Sequence, residues 1–195
     1  MTHYLDIRLL PDPEFAPALL MGALYAKLHR ALVAQQSDDI GTSFPGYALA
    51  GRGEDGKRQP ATLGLCLRLH GSHAALTALM DSDWLSGMRD HIAVGTALAV
   101  PAGAAQLRVQ RKQAKSSPAR ERERLMRRKG LSAADAQQRI PDHAAERLDL
   151  PYLTLYSHST GQRFRLFIAQ QPAAQAATGV FNSYGFSATA TVAAC

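Results

Sequence analysis

His29, one of seven histidines, carries an imidazole, a group that titrates near neutrality and so suits moving a proton. Taken alone, a histidine flanked on a helix by Tyr25, Leu32 and Val33 is more often a partly buried packing residue than a catalyst. One reaction nevertheless asks for little more than a histidine. RNA carries its own nucleophile, the 2′-OH, and an enzyme has only to deprotonate it, align it and stabilise the phosphorane. Hydroxyls that could assist cluster at Ser157, Ser159 and Thr160, around His158, in a stretch that also reads as ordinary turn chemistry. Phe164 follows, able to stack on a base or to pack with Leu166 and Ile168. Tyr184 stands between Ser183 and Gly185, a polar aromatic at a glycine loop.

Charge is concentrated in one place. Residues 106–130 hold ten Lys and Arg (Arg108, Arg111, Lys112, Lys115, Arg120, Arg122, Arg124, Arg127, Arg128, Lys129) against Glu121 and Glu123, a net +8. The whole chain is +6, so the rest is −2. A focused basic patch on a near-neutral body fits a polyanionic partner, nucleic acid first; the alternative is a solvated helix face that binds nothing. At about 100° per residue, Arg120, Arg124, Arg127 and Arg128 share one helical face, with Leu125 and Met126 on the other. Glu123 is one turn from Arg120 and Arg127 and could pair with them.

Other chemistries lack their residues. No GxxxxGKS/T, GxGxxG or HExxH pattern occurs, nor a serine nucleophile elbow. Cys66, His70 and His73 have metal-like spacing but no fourth ligand nearby, so no metal or other cofactor is expected. Cys66 and Cys195 are the only cysteines, and Met1–Arg8 alternates like a strand rather than a signal peptide. No run approaches the ~20 apolar residues of a membrane span. A cytoplasmic protein is expected.

The elements that would position these residues are legible in outline. Leu5, Ile7 and Leu9 alternate over residues 3–9, a half-buried strand; Leu20, Leu24, Leu28 and Leu32 recur at i+4, predicting a helix over 14–36. A strand is expected near 43–49, a loop over 51–60, and a strand over 63–70 with Leu63, Leu65, Leu67 and Leu69 on one face. A helix over 73–91, broken near 81–83, and a strand over 107–113 complete a β-α-β-β-α-β order, the ferredoxin-like arrangement. Beyond it, Ser117 and Pro118 open a helix that Gly130 closes, and Ser132 caps a second helix running to Arg139. Strands 152–157 and 163–168 form a hairpin, and 179–187 reads as a strand or glycine loop. The class is α+β: an N-terminal ferredoxin-like (RRM-like) domain over 1–105, then a smaller α+β domain over 106–195 carrying the arginine-rich helix.

Several long motifs then resemble one family: His3-Tyr4-Leu5-Asp6-Ile7-Arg8-Leu9, Lys27-Leu28-His29, Gln113-Ala114-Lys115-Ser116, Leu125-Met126-Arg127-Arg128, Arg139-Ile140-Pro141-Asp142 and Ser159-Thr160-Gly161-Gln162 through Ile168. The sequence is similar to the repeat-processing endoribonucleases of type I-F CRISPR systems, the Csy-type members of the Cas repeat-cleaving enzymes. The resemblance implies cleavage of precursor CRISPR RNA at the 3′ base of a repeat stem-loop, leaving a 2′,3′-cyclic phosphate. It also implies retention of the product and entry into a surveillance complex with other protein subunits. By the same resemblance His29 transfers the proton, Ser157 holds the ribose and its 2′-OH, and Tyr184 supports the histidine. Phe164 stacks under the terminal base pair, and Arg111 and Gln113 read base edges. Lys115, Arg120, Arg122, Arg124, Arg127 and Arg128 contact RNA, and Ser159 and Thr160 line the active-site loop. Glu123 and Lys129 depart from the family pattern, which bears on phosphate contacts rather than on the chemistry. The alternative is a non-catalytic subunit that only binds the RNA hairpin; a DNA-binding regulator is a third reading, separated by the need for a 2′-OH.

Overall fold

The computed structural model describes residues 1–113, 118–141, 148–157 and 161–195. In order the elements are β1 His3–Leu9, α1 Pro17–Gln35, β2 Gly41–Ser43, β3 Gly51–Arg52, β4 Arg58–Gln59, β5 Cys66–Gly71, α2 His73–Asp81, a 3₁₀ turn at Arg89–His91, β6 Ile92–Val94 and β7 Leu98–Ala99. There follow β8 Ala105–Lys112, α3 Pro118–Lys129, α4 Ala133–Arg139, β9 Tyr152–Tyr156, β10 Arg163–Ala173 and β11 Val192–Ala194.

Alternation makes β1 a strand: Leu5, Ile7 and Leu9 are buried while Arg8 is exposed. It pairs antiparallel with β5 on one side and β6 on the other, and β7 also joins it. The order β2-β5-β1-β6 is that of the split βαβ, ferredoxin-like sheet. Its register sets Asp6 opposite Arg68. The carboxylate takes two hydrogen bonds from the guanidinium, at 2.6 and 3.0 Å, and Tyr4 lies under the guanidinium at 4.3 Å. Burial pushes the Asp6 carboxyl up, but the bonds and charge of Arg68, then of Arg8, outweigh it and hold the group below its ordinary value.

Several expectations need correction. The strand expected near 43–49 is β2 at Gly41–Ser43, and the loop expected over 51–60 holds the short β3–β4 pair. The fourth ferredoxin strand is β6 with β7, not residues 107–113; β8 instead joins a second sheet in the order β11-β8-β10-β9. The break expected near 81–83 is where α2 ends, at Asp81, but the helix does not resume to residue 91: Gly87 turns the chain at φ 73° and only a 3₁₀ turn follows before Ile92–Val94 pairs with β1. Helix α1 starts at Pro17 rather than at 14, because Asp12 accepts from the Glu14 and Phe15 amides and holds them in a turn. Leu65 lies outside β5 and is exposed, although Leu63, Leu67 and Leu69 are buried.

Contacts cluster the chain into two compact units, Met1–Arg111 with Leu150–Cys195, and Lys112–Asp149. They cut the chain differently from a boundary at 105–106. The cause is visible in the larger unit, where β9 packs on α1 and the buried side chains of both sheets form one apolar core. Gly22 makes the close approach possible. A Cβ there would meet the Thr154 carbonyl oxygen at 3.0 Å. In the smaller unit, α3 is closed by Gly130, with φ 63° and its N–H on the Met126 carbonyl at 2.8 Å. Ser132 caps α4, accepting from the Asp135 amide at 3.1 Å, and the Arg122 Nε donates to the Ile140 carbonyl at 2.7 Å. The expected cap Ser117 lies outside the described residues.

His70, on β5, is fully buried, its Nε2 2.8 Å from Ser43 Oγ. Burial, then the charge of Arg68, pulls its imidazole down to about 3. It is therefore neutral in the fold, whereas an unfolded histidine charges below about pH 6.5. The unfolded chain binds the extra proton between those values, so this contribution is fully present above 6.5 and is lost as pH falls, by up to ~1.4 kcal/mol per pH unit. His70→Gln should flatten the decline in urea-unfolding free energy between pH 7 and 5; an unchanged slope would mean that His70 is charged in the native state.

Candidate active site

Helix α1 presents His29 seven residues beyond Gly22, two turns along the same face. The glycine that lets α1 lie against β9 thus also sets the distance from His29 to the end of that strand, where Ser157 follows. The backbone of Ser157 is fixed by the hairpin: its N–H donates to Gln162 O at 2.9 Å and its carbonyl accepts from Gly161 N at 2.8 Å. His29 and Ser157 line one cleft of about 530 Å³ together with Arg30, Tyr156, Phe164 and Tyr184.

The histidine is held on two sides. Its Nδ1 is 2.8 Å from the Ser183 carbonyl oxygen, which can only accept, so Nδ1 carries the proton and Nε2 is left with the lone pair. Its ring lies flat on that of Tyr184, centroids 4.0 Å apart and planes within 1°. Tyr184 is fixed in turn. The Tyr25 hydroxyl, one turn before His29, donates to the Tyr184 carbonyl at 2.5 Å, and Thr42 Oγ1 donates to the same oxygen at 3.3 Å. Burial pushes the Tyr25 phenol well above its ordinary value, which keeps it a donor. Asn182 Oδ1 accepts from the Tyr184 and Phe186 amides. Gly185, at φ 67°, closes the turn, where a Cβ would come within 2.5 Å of Thr42 Cγ2. The rings of Tyr25, Phe44, Tyr184 and Phe186 stack beneath.

Four of the residues expected from sequence, His29, Ser157, Phe164 and Tyr184, thus share one cleft. Arg111 reaches over Phe164, its guanidinium carbon 5.9 Å from the ring centre, and Gln113 is exposed just past β8. On α3, Arg120, Arg124, Arg127 and Arg128 are exposed, with Leu125 and Met126 half-buried. Arg122 is half-buried on the Ile140 carbonyl, and among the described residues Glu123 forms no ion pair with Arg120 or Arg127. Lys115, Ser159 and Thr160 lie outside the described residues. Among the described residues no three His, Cys, Asp or Glu groups are placed to hold a metal ion.

Sequence reasoning missed Thr42, Asn182 and Ser183, which reach the site only through long-range contacts. It also missed Tyr25 as a support and Arg30 as a cation in the cleft, although both lie within one helical turn of His29.

If Gly22 sets the α1–β9 spacing, Gly22→Val must overpack that contact. A loss of about 1–3 kcal/mol in urea unfolding is expected, while Ala23→Val on the exposed side of the same turn should stay within about 0.5 kcal/mol. Equal losses would remove this role from Gly22.

The Cas_Csy4 family model, described as CRISPR-associated protein, matches residues 4–194. The CRISPR-associated endonuclease Cas6/Csy4 of Pseudomonas aeruginosa (strain UCBPP-PA14) is 51% identical over 188 residues, covering 96% of each chain. The Cas6/Csy4 endonuclease of Escherichia coli (strain UTI89 / UPEC) is 42% identical over 193 residues, covering 98% of each. A solved structure, "An RAMP protein binding different RNA substrates", aligns over 98% of this chain and 100% of its own at 10% identity, with a TM-score of 0.35.

Proposed function

The chain belongs to the Cas_Csy4 family of CRISPR-associated proteins, and we propose that it is an endoribonuclease that cuts precursor CRISPR RNA at the 3′ base of the repeat stem-loop without a metal ion. The observation that carries this reading is the fixed orientation of His29: Nδ1 tied to a carbonyl, ring stacked on Tyr184, Nε2 able to take a proton in a cleft shared with Ser157.

The 2′-oxygen of the nucleotide before the cut attacks its own 3′-phosphate. The O2′–P bond forms as the P–O5′ bond breaks, leaving a 2′,3′-cyclic phosphate and a 5′-hydroxyl. His29 Nε2 accepts the 2′ proton or shuttles it toward the departing 5′-oxygen. Ser157 holds the ribose so that the 2′-oxygen is in line with the leaving group. Tyr184 keeps the imidazole from rotating. Phe164 stacks under the last base pair of the stem, with Arg111 and Gln113 reading base edges above it. Arg120, Arg124, Arg127 and Arg128 bind phosphates of the stem by counterion release, and Lys115, Arg122, Ser159 and Thr160 are further RNA contacts. The product stays bound and enters a complex with other protein subunits.

One acid–base group contributes roughly 10²–10⁴-fold, consistent with a slow enzyme that keeps its product. The first test is a labelled repeat hairpin in EDTA. The wild type should cut at the 3′ base and leave a cyclic phosphate, and His29→Ala should lower the rate at least ~10²-fold with hairpin affinity nearly unchanged. Loss of affinity along with cleavage would make His29 structural, whereas tight binding by a wild type that does not cut would favour the non-catalytic hairpin-binding subunit. The arginine helix is tested separately by titration against salt. Arg124→Ala should weaken hairpin binding and reduce the log–log salt slope by about 1; an unaltered slope would take Arg124 out of the interface.

A further inference from the structure

The turn that carries Tyr184 is built around one peptide group. Asn182 to Gly185 form a β-turn, closed by the Gly185 N–H on the Asn182 carbonyl at 2.7 Å. The central peptide of this turn joins Ser183 to Tyr184. Its oxygen is the atom that His29 Nδ1 meets at 2.8 Å, and its N–H is the one that Asn182 Oδ1 accepts at 2.9 Å. The C=O and N–H of a trans peptide point opposite ways, and no peptide among the described residues is cis. One hydrogen bond therefore fixes the other. While Asn182 holds the N–H, the carbonyl faces the imidazole.

The central peptide of a β-turn is also the part that can turn over. Rotating it by about 180° converts a type I turn into type II and exchanges the positions of its N–H and C=O. Two features oppose that rotation. Tyr184 occupies the third position, where type II requires a positive φ. Apart from glycine, Gln36 alone has a positive φ among the described residues, so this turn is not in the type II form. Asn182 occupies the first position, from which a side-chain oxygen reaches the N–H two residues on. The same Oδ1 accepts from the Phe186 amide at 3.2 Å, and the Asn182 N–H donates to the Phe186 carbonyl at 2.9 Å. The asparagine is thus anchored at the base of the loop before it reaches the central peptide.

The orientation matters because the two sides of the peptide demand opposite imidazoles. A carbonyl oxygen can only accept, so Nδ1 keeps the proton and Nε2 the lone pair. A rotated peptide would present its N–H, which can only donate. Nδ1 would then hold the lone pair and Nε2 the proton, leaving no base toward the cleft. We infer that Asn182 is a positioning residue that selects the tautomer of His29, acting through the Ser183–Tyr184 peptide. The inference rests on the reading of His29 Nε2 as the proton acceptor and names the residue that makes it one.

The tautomer is read from long-range 1H–15N correlation spectra of 15N-labelled protein at about pH 8.5, above the usual histidine range. His29 is assigned by the cross-peaks that His29→Ala lacks. In the wild type Nδ1 should resonate as a protonated ring nitrogen and Nε2 as an unprotonated one. Asn182→Ala should move Nε2 toward the protonated position. It should also lower the single-turnover cleavage rate of the repeat hairpin about tenfold, with affinity for a 2′-deoxy hairpin within about twofold of wild type. Asn182→Asp keeps the accepting oxygen and should return the wild-type spectrum and most of the rate. A wild-type imidazole protonated on Nε2 would overturn the inference whether or not any variant folds. So would an unchanged tautomer in folded Asn182→Ala, or an Asn182→Asp variant that behaves like Asn182→Ala. A wild type that shows the expected tautomer but does not cleave sinks instead the reading of the cleft as a cleavage site, and the spectra still decide the role of Asn182.

Discussion

The hydrogen bond from the buried Tyr25 hydroxyl to the Tyr184 carbonyl ties helix α1 to the 182–186 turn, and the geometry of the site follows from it. Tyr25 is fully buried, so an unmatched phenol there would carry the desolvation cost of an orphaned donor, ~1–3 kcal/mol, while the bond itself returns only ~1 kcal/mol. That asymmetry is why the turn has one place to sit. With the Tyr184 backbone fixed, its ring meets His29 face to face, and the Ser183 carbonyl falls within reach of Nδ1. Thr42 and Asn182 reinforce the same turn from two other segments. The imidazole is thus oriented by a hydrogen bond to a backbone carbonyl and by ring contact.

The two sheets contribute in different ways. The ferredoxin-like sheet supports α1 from below, through Leu5, Ile7, Leu67 and Leu69 against Leu24 and Leu28, all in one core. The second sheet brings β9 and β10 to the flank of α1, and so supplies Ser157 and Phe164. Neither sheet holds the whole set. Bringing the set into one cleft therefore requires the crossing of α1 over β9, and Gly22 is the residue whose missing side chain permits it.

Much of this was legible in the sequence where the signal is local. The alternation of Leu5, Ile7 and Leu9, the Leu20–Leu32 repeat and the Ser132 cap each depend on a few neighbouring residues, and each is found where expected. The fourth strand of the first sheet was not legible, because Ile92–Val94 is too short to show a period and follows a helical pattern that Gly87 ends. The site was only half legible. His29, Ser157, Phe164 and Tyr184 came from family resemblance, since a histidine on an apolar stripe and serines in a turn have common structural explanations. Tyr25 and Tyr184 are 159 residues apart, and no local pattern announces a bond of that span.

Binding and chemistry draw on different physics in this chain. In the function proposed above, the exposed arginines of α3 would act through charge, over a range set by salt, and would be indifferent to the position of a proton. The cleft around His29 would act at hydrogen-bond distance, where an error of ~1 Å is costly and salt matters little. Affinity can therefore be high while the chemical step is slow, since nothing in the arginine face lowers the barrier to attack by the 2′-oxygen. A protein that works in the proposed way would gain by holding its RNA after the cut, because arginine contacts to the stem would not distinguish substrate from product.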